Sequence, residues 1–268
     1  MARTRVPRTP FLALTLCAGL ALTATGCGDD DSGSDSSGSG TGGPSIVVTT
    51  AWEGGFATAA GAEDVQVLVP PSVQHAPDYE PKPSDLAVVA EADFVLYAPF
   101  EPYAEQIKEA AGSDAELVEV ALDNDAGTVK TEVARLGRMF GTEKAATKWT
   151  KTFDAEYAEL SAGLKEARPG GEAPAAVAQV FTAWAGKMAG VRMLGTYGPD
   201  PVTAQEVSDL SAKKPDLVLD NAHMSTGTVL PDSGADQVKI VNYPGEDLDL
   251  LAVYRDAAAE METALGAR

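Results

Sequence analysis

Few side chains in this 268-residue chain can do chemistry at neutral pH, and its two histidines, His75 and His223, come first among them. A neutral imidazole binds metal ions, and one that titrates near pH 6.5 moves protons. Hydrolytic catalysis would need a histidine beside a serine or cysteine nucleophile, and neither His75 nor His223 stands in such a setting. A Walker loop, a dinucleotide fingerprint and a Gly-x-Ser-x-Gly elbow are all missing, so an enzyme is not expected. His223 lies in Asp220-Asn221-Ala222-His223-Met224, just after a short apolar run ending at Leu219. Asp220 can serve there as a co-ligand or orient the imidazole. His75 lies in a proline-rich loop, where it reads either as a ligand or as a solvated histidine. Two histidines cannot build a three-histidine zinc site, and Cys17 and Cys27 both fall outside the folded body expected below. A metal would be held by oxygen donors with at most two imidazoles. That set suits manganese or iron better than a zinc-selective cage, although zinc can still bind.

Short valine-rich runs alternate with helical ones, the pattern of parallel α/β units. Strands are expected at Ile46–Thr50, Val65–Val69, Phe94–Tyr97 and Leu117–Val120, then at Ala176–Phe181, Val191–Gly195, Leu217–Leu219 and Val238–Val241. A long helix from Thr142 to Arg168 separates the two sets. Trp149, Phe153, Tyr157, Leu160 and Leu164 share one of its faces, Thr142 can cap its start, and Pro169-Gly170-Gly171 stops it. The expected architecture is therefore α/β with two lobes, each a small parallel four-stranded sheet flanked by helices, joined by one long rigid helix. The lobes span residues 46–141 and 172–268, with the connecting helix at 142–168. A C-terminal helix carries Leu251, Tyr254, Ala258, Met261 and Leu265 on one packing face.

Open parallel sheets bind ligands beyond the carboxyl ends of their strands. In the first lobe those positions are Trp52 and Glu53, His75 to Tyr79, Pro99 to Glu101, and Glu119. In the second they are Gln179 to Trp184, Tyr197, Asp220 to His223, and Asn242 with Tyr243. Trp52, Tyr79, Trp184 and Tyr197 read singly as packing residues and together as the lining of a cleft for an organic ligand.

The run from Pro70 to Asp85, Pro-Pro-Ser-Val-Gln-His-Ala-Pro-Asp-Tyr-Glu-Pro-Lys-Pro-Ser-Asp, is the longest motif in the chain. Its prolines fix φ and remove backbone donors, so it forms a rigid connection, and Ser84 or Asp85 can cap a helix beginning at about Leu86. The run resembles a signature of the zinc- and manganese-type solute-binding lipoproteins of bacterial ABC importers, the TroA-like group. There the stretch reads roughly Pro-Pro-Gly-Val-Asp-Pro-His-Asp-Tyr-Glu-Pro-Thr-Pro-Ser-Asp and its histidine binds the metal. The resemblance implies capture of a divalent cation, limited closure about a rigid helix, and partnership with a membrane permease and its ATPase. It carries the ligands over incompletely. Counted back from Tyr79, the first histidine falls on Pro77, two residues after His75. The second, in a motif like His-Val-Trp-Leu-Asp-Pro, is replaced by Glu119 of Glu119-Val120-Ala121-Leu122-Asp123-Asn124. The third falls near Gln179, and the usual carboxylate falls on Asn242. The metal set expected is His75, Glu119, Asp220 and His223, with Trp52, Tyr79, Gln179, Trp184 and Asn242 as possible pocket wall. A metal chelate, a small organic solute, or a surface role without transport remain alternatives.

The N-terminus carries Arg3, Arg5 and Arg8, an apolar run from Phe11 to Leu22, and Ala24-Thr25-Gly26-Cys27. Too short to span a bilayer, this reads as a secretory signal over residues 1–26. Cys27 would become the lipidated first residue of a protein anchored to the outer face of the cell membrane. Residues 27–45 are almost wholly Gly, Ser and Asp and form a flexible tether. The formal net charge is −20, and the only charged side chains in the leader are Arg3, Arg5 and Arg8, so its loss makes the mature chain more acidic still. Such a surface repels nucleic acid and anionic lipid and concentrates cations. A monomer is expected.

Overall fold

The computed structural model describes residues 43–266 apart from 71, 74, 169 and 170. The signal, Cys27 and the expected tether as far as residue 42 lie outside the described residues, while Ser45, its last residue, donates its amide to Asp93 at 2.8 Å. The first sheet contains β1 (Ile46–Val48), β2 (Val65–Val67), β3 (Phe94–Tyr97) and β4 (Glu116–Glu119), all parallel, in the order β2-β1-β3-β4. The second contains β5 (Ala175–Gln179), β6 (Arg192–Tyr197), β7 (Leu217–Asn221) and β8 (Asp236–Ile240), also parallel, in the order β6-β5-β7-β8. Both sheets therefore reverse their winding at one point, between β1 and β3 and between β5 and β7. The central strands β1, β5 and β7 are buried along their whole length, which is why they are apolar until their carboxyl ends, where β5 closes with Gln179 and β7 with Asp220 and Asn221.

Helices α1 (Ala51–Ala59), α2 (Pro83–Ala90), α3 (Ala104–Ala110) and α4 (Ala126–Met139) accompany the first sheet. Helices α6 (Ala183–Ala189), α7 (Ala204–Ser211) and α8 (Leu250–Gly266) accompany the second. Strand β1 stops at Val48, short of the expected Thr50, because Thr50 caps α1 and forms a reciprocal box with Glu53. Strand β5 stops at Gln179 for a similar reason: the Gln179 side chain accepts from the Phe181 amide and starts a tight turn over Val180–Thr182. Helix α2 begins at Pro83, ahead of the expected Leu86. Proline needs no amide partner in a first turn, and the Asp85 carboxylate accepts from the Lys82 amide.

Between the sheets in sequence runs α5 (Glu143–Glu166), 24 residues and about 36 Å long. Thr142 stands before it but does not cap it; its hydroxyl donates instead to the Ala60 carbonyl at 2.6 Å, tying α5 to the end of α1. The apolar stripe read from sequence packs as expected. Phe153 is fully buried, stacks on Trp149 at 5.1 Å and meets Tyr254 of α8 edge-on at 5.0 Å. Tyr254 in turn meets Trp184 of α6 at 4.9 Å. A single apolar core therefore runs from Ile46 and Leu96 of the first sheet, past Phe153 and Tyr254, to Leu217 and Ile240 of the second. Smaller clusters sit on the outer faces, around Val95 in one lobe and Val218 in the other. Replacing Phe153 by alanine removes the ring on which α5 and α8 meet. We expect Phe153→Ala to lower unfolding stability by about 3–5 kcal/mol in urea denaturation.

Candidate functional site

Beyond the carboxyl ends of β5, β6 and β7 lies a cavity of about 510 Å³, bordered on its far side by His75 of the loop after β2. His75 enters from the first lobe; Gln179, Tyr197, Asp220, His223 and Met224 enter from the second. Asp220 is buried at the end of β7 and held at both oxygens: Tyr197 donates its hydroxyl at 3.0 Å and Gln237 its amide at 2.9 Å. Burial and the adjoining Asp220 charge push the Tyr197 hydroxyl far above the usual phenol range, so it remains a donor. His223 follows on a turn in which its amide donates to the Asn221 side chain, and its ring stacks on Tyr243 at 3.6 Å. His75 is half-buried, with Nδ1 3.1 Å from the Asp78 carboxylate. Gln179 accepts from the Phe181 amide and directs Nε2 toward the Met224 thioether at 3.8 Å. Gly198, at φ +81°, passes so close that a Cβ there would sit 3.1 Å from this same amide nitrogen. The cavity thus gathers two imidazoles, the carboxylates of Asp200 and Asp220, an amide and a thioether.

His75, Asp220 and His223 share this cavity, as the sequence suggested, without closing around a point. Among the described residues no group of three or more His, Cys, Asp or Glu side chains stands close enough to hold a metal ion. Glu119 does not reach the cavity at all. It ends β4, the edge strand of its sheet, with its side chain exposed and its carbonyl accepting from Arg135 at 2.8 Å.

The expected wall residues divide. Gln179 lines the cavity. Tyr79 packs within the first lobe, edge-on to Tyr103, and donates to Asp85 at 2.5 Å. Trp52, Trp184 and Asn242 form a buried relay between the lobes. Trp52 Nε1 donates to Asn124 Oδ1 at 2.9 Å, Asn124 Nδ2 donates to the Asn242 carbonyl at 2.6 Å, and Trp184 Nε1 donates to Asn242 Oδ1 at 3.1 Å. Both tryptophans also border a smaller cavity of about 360 Å³, at whose rim Lys187 pairs with Asp125.

No protein-family model matches the chain, and no curated protein matches it. Solved structures do. A zinc-bound deletion mutant of ZnuA superposes with a TM-score of 0.63 at 18% identity, covering 84% of this chain and 99% of that one. The solute-binding protein FpvC of Pseudomonas aeruginosa, in complex with Ni2+, gives 0.63 at 16% identity over 83% and 95%. The laminin-binding protein Lmb of Streptococcus agalactiae, described as bifunctional with adhesin and metal transporting activity, gives 0.63 at 14% over 83% and 100%. The chain has the fold of the zinc- and manganese-type solute-binding proteins.

Within that solute-binding fold, the position where the resemblance places a metal-binding carboxylate is occupied by Asn242, fully buried and spent on the relay to Trp184 and Asn124. The position of the third histidine is occupied by Gln179. Asp220 stands at the end of β7 and His223 two residues beyond that strand, and both border the larger cavity.

A second polar cluster lies beyond β1 and β3. Glu53 and Glu101 are both buried, the former completely. Glu53 Oε2 accepts from the Thr50 amide at 3.1 Å and from the Thr50 hydroxyl. Glu101 accepts from the Ala98 amide at 3.0 Å and from the Tyr103 hydroxyl at 3.3 Å. Burial, reinforced by the Glu101 charge and opposed by the Thr50 hydrogen bonds, pushes the Glu53 carboxyl up to about 8. In sequence Glu53 is indistinguishable from an ordinary capping-box glutamate on an exposed first turn. Only the seating of α1 against the second lobe reveals that it is desolvated. Glu53 stays protonated in the fold over a range where the unfolded chain has already ionised. Its stabilising contribution is therefore whole below about pH 4.5 and is lost as pH rises to about 8. In chelating buffer, unfolding free energy should fall by a few kcal/mol across that window, and Glu53→Gln should flatten the fall.

Proposed function

We propose that this chain is an extracytoplasmic solute-binding lipoprotein of an ABC importer, capturing a divalent cation of the zinc or manganese type. It would act as a monomer and pass the ion to a membrane permease with its ATPase. One observation carries the reading: His75 from the first lobe and Asp220 with His223 from the second open onto a single cavity. The similarity in fold to proteins solved with Zn2+ and Ni2+ supports it. So does the acidic surface, which raises the local concentration of cations. No bond is made or broken; the protein supplies affinity and selectivity. His75 and His223 are the nitrogen ligands, Asp220 is an oxygen ligand already oriented by Tyr197 and Gln237, and Gln179 is a neutral wall. Coordination of one ion by His75, Asp220 and His223 together would need His75 to approach the other two, because they share the cavity without closing around a point. The Cys27 anchor, followed by the Gly/Ser/Asp tether, would keep the body near the permease.

The size of the cavity favours one second reading. About 510 Å³, bordered by Pro199, Pro201, Val202 and Met224, is ample for a small metal chelate rather than a bare ion. Mass spectrometry of ligand released from natively purified protein separates the two.

Calorimetry with Zn2+ and Mn2+ tests the reading directly. We expect His223→Ala and His75→Ala each to weaken binding by about tenfold or more. Affinity in the parent protein should drop below about pH 6.5, where protons compete for imidazole. Flat titrations with both ions would remove cation capture.

A further inference from the structure

The same winding rule that places the histidine-lined cavity in the second lobe points to another place in the first. The order β2-β1-β3-β4 reverses between β1 and β3, and open parallel sheets hold ligands at that crevice. Thr49 and Glu53 follow β1 there, and Glu101 follows β3. Their relative exposures are 0%, 0% and 6%. Among the described residues neither glutamate forms an ion pair. Glu53 is half satisfied: Oε2 takes both Thr50 donors, whereas Oε1 is buried with no hydrogen-bond partner. The Thr49 hydroxyl lies against the Glu101 carboxylate, close enough to favour its charged form, yet outside hydrogen-bond geometry and likewise without a partner.

Buried oxygens without partners are rare because each costs its full desolvation, and here two of them adjoin a second buried carboxylate. A proton answers only one of these groups. A cation answers them all at once. The donors are carboxylate and hydroxyl oxygens, with neither nitrogen nor sulfur among them, which selects a hard ion over a soft one. We propose that Thr49, Glu53 and Glu101 form a binding site for a hard divalent cation of the manganese or calcium class, separate from the histidine-lined cavity. The site uses neither His75 nor His223, so it stands or falls independently of the transport reading.

Mn2+ is the probe, followed by electron paramagnetic resonance and calorimetry on the full chain at pH 8. One equivalent should remain in the His75→Ala/His223→Ala double variant. In Glu53→Gln and Glu101→Gln that equivalent should weaken by about tenfold or more. Thr49→Val keeps the side-chain shape without the hydroxyl and should weaken it too. Melting in chelator controls for folding: Glu53→Gln, which retains an acceptor for Thr50, should melt no lower than the parent. Equal Mn2+ binding in the parent and Glu53→Gln, or no Mn2+ binding in the parent or the double variant, would overturn the proposal and leave the pair holding only a proton.

Discussion

Two buried asparagines, Asn124 and Asn242, hold the halves of this molecule in register. Each lies in a loop that follows the last strand of its sheet, and each must satisfy polar groups away from water. They do so in large part through one another and through an indole from each lobe, with Asn242 Nδ2 alone of their side-chain atoms left without a partner. Trp52 donates to Asn124, Trp184 donates to Asn242, and Asn124 bridges to the Asn242 carbonyl. Tyr254 adds a fifth member by donating to the Asn124 carbonyl at 2.9 Å from the middle of α8. A buried relay of this kind is costly to break, because every partner removed leaves another donor or acceptor unsolvated. The apolar column of Phe153, Tyr254 and Trp184 lies directly beside it. Polar and apolar constraints therefore act on the same residues.

That arrangement explains why the site differs from what motif counting suggests. Asn242 is committed to the relay and is not open to a ligand. Glu119 ends an edge strand and points to water. Asp220 is the penultimate residue of β7 and His223 lies on the turn just after it, at the winding reversal of the second sheet, where open parallel sheets form their crevice. His75 reaches that cavity because the proline-rich segment around it carries the first lobe's loop across.

The elements were largely legible in the order of residues. Valine-rich runs gave all eight strands, since strands buried on both faces have little freedom of composition. The four-residue spacing from Trp149 to Leu164 gave α5 within a few residues at each end. Strand ends were misplaced where a side chain captured a backbone amide, as with Thr50 and Gln179, because capping competes with strand pairing at such positions. The candidate site was legible only in part. That His75, Asp220 and His223 border one cavity follows from their places after strands. Which strand lies at the edge depends on pairing order, and nothing local to Glu119 records it. The burial of Glu53 was equally hidden, because a capping box looks the same whether the helix faces water or another lobe. Met224 and Asn124 carried no signal that separates them from ordinary neighbours.

The continuity of the core across α5 has a mechanical consequence. A body whose two halves share one close-packed interior has no line along which to fold like a book. The spacing of the two sheets should therefore be nearly fixed, since a shared close-packed interior resists their separation. On the transport reading, any signal that distinguishes the bound state would then be local, in the stretch around His75 and the turns after β6 and β7.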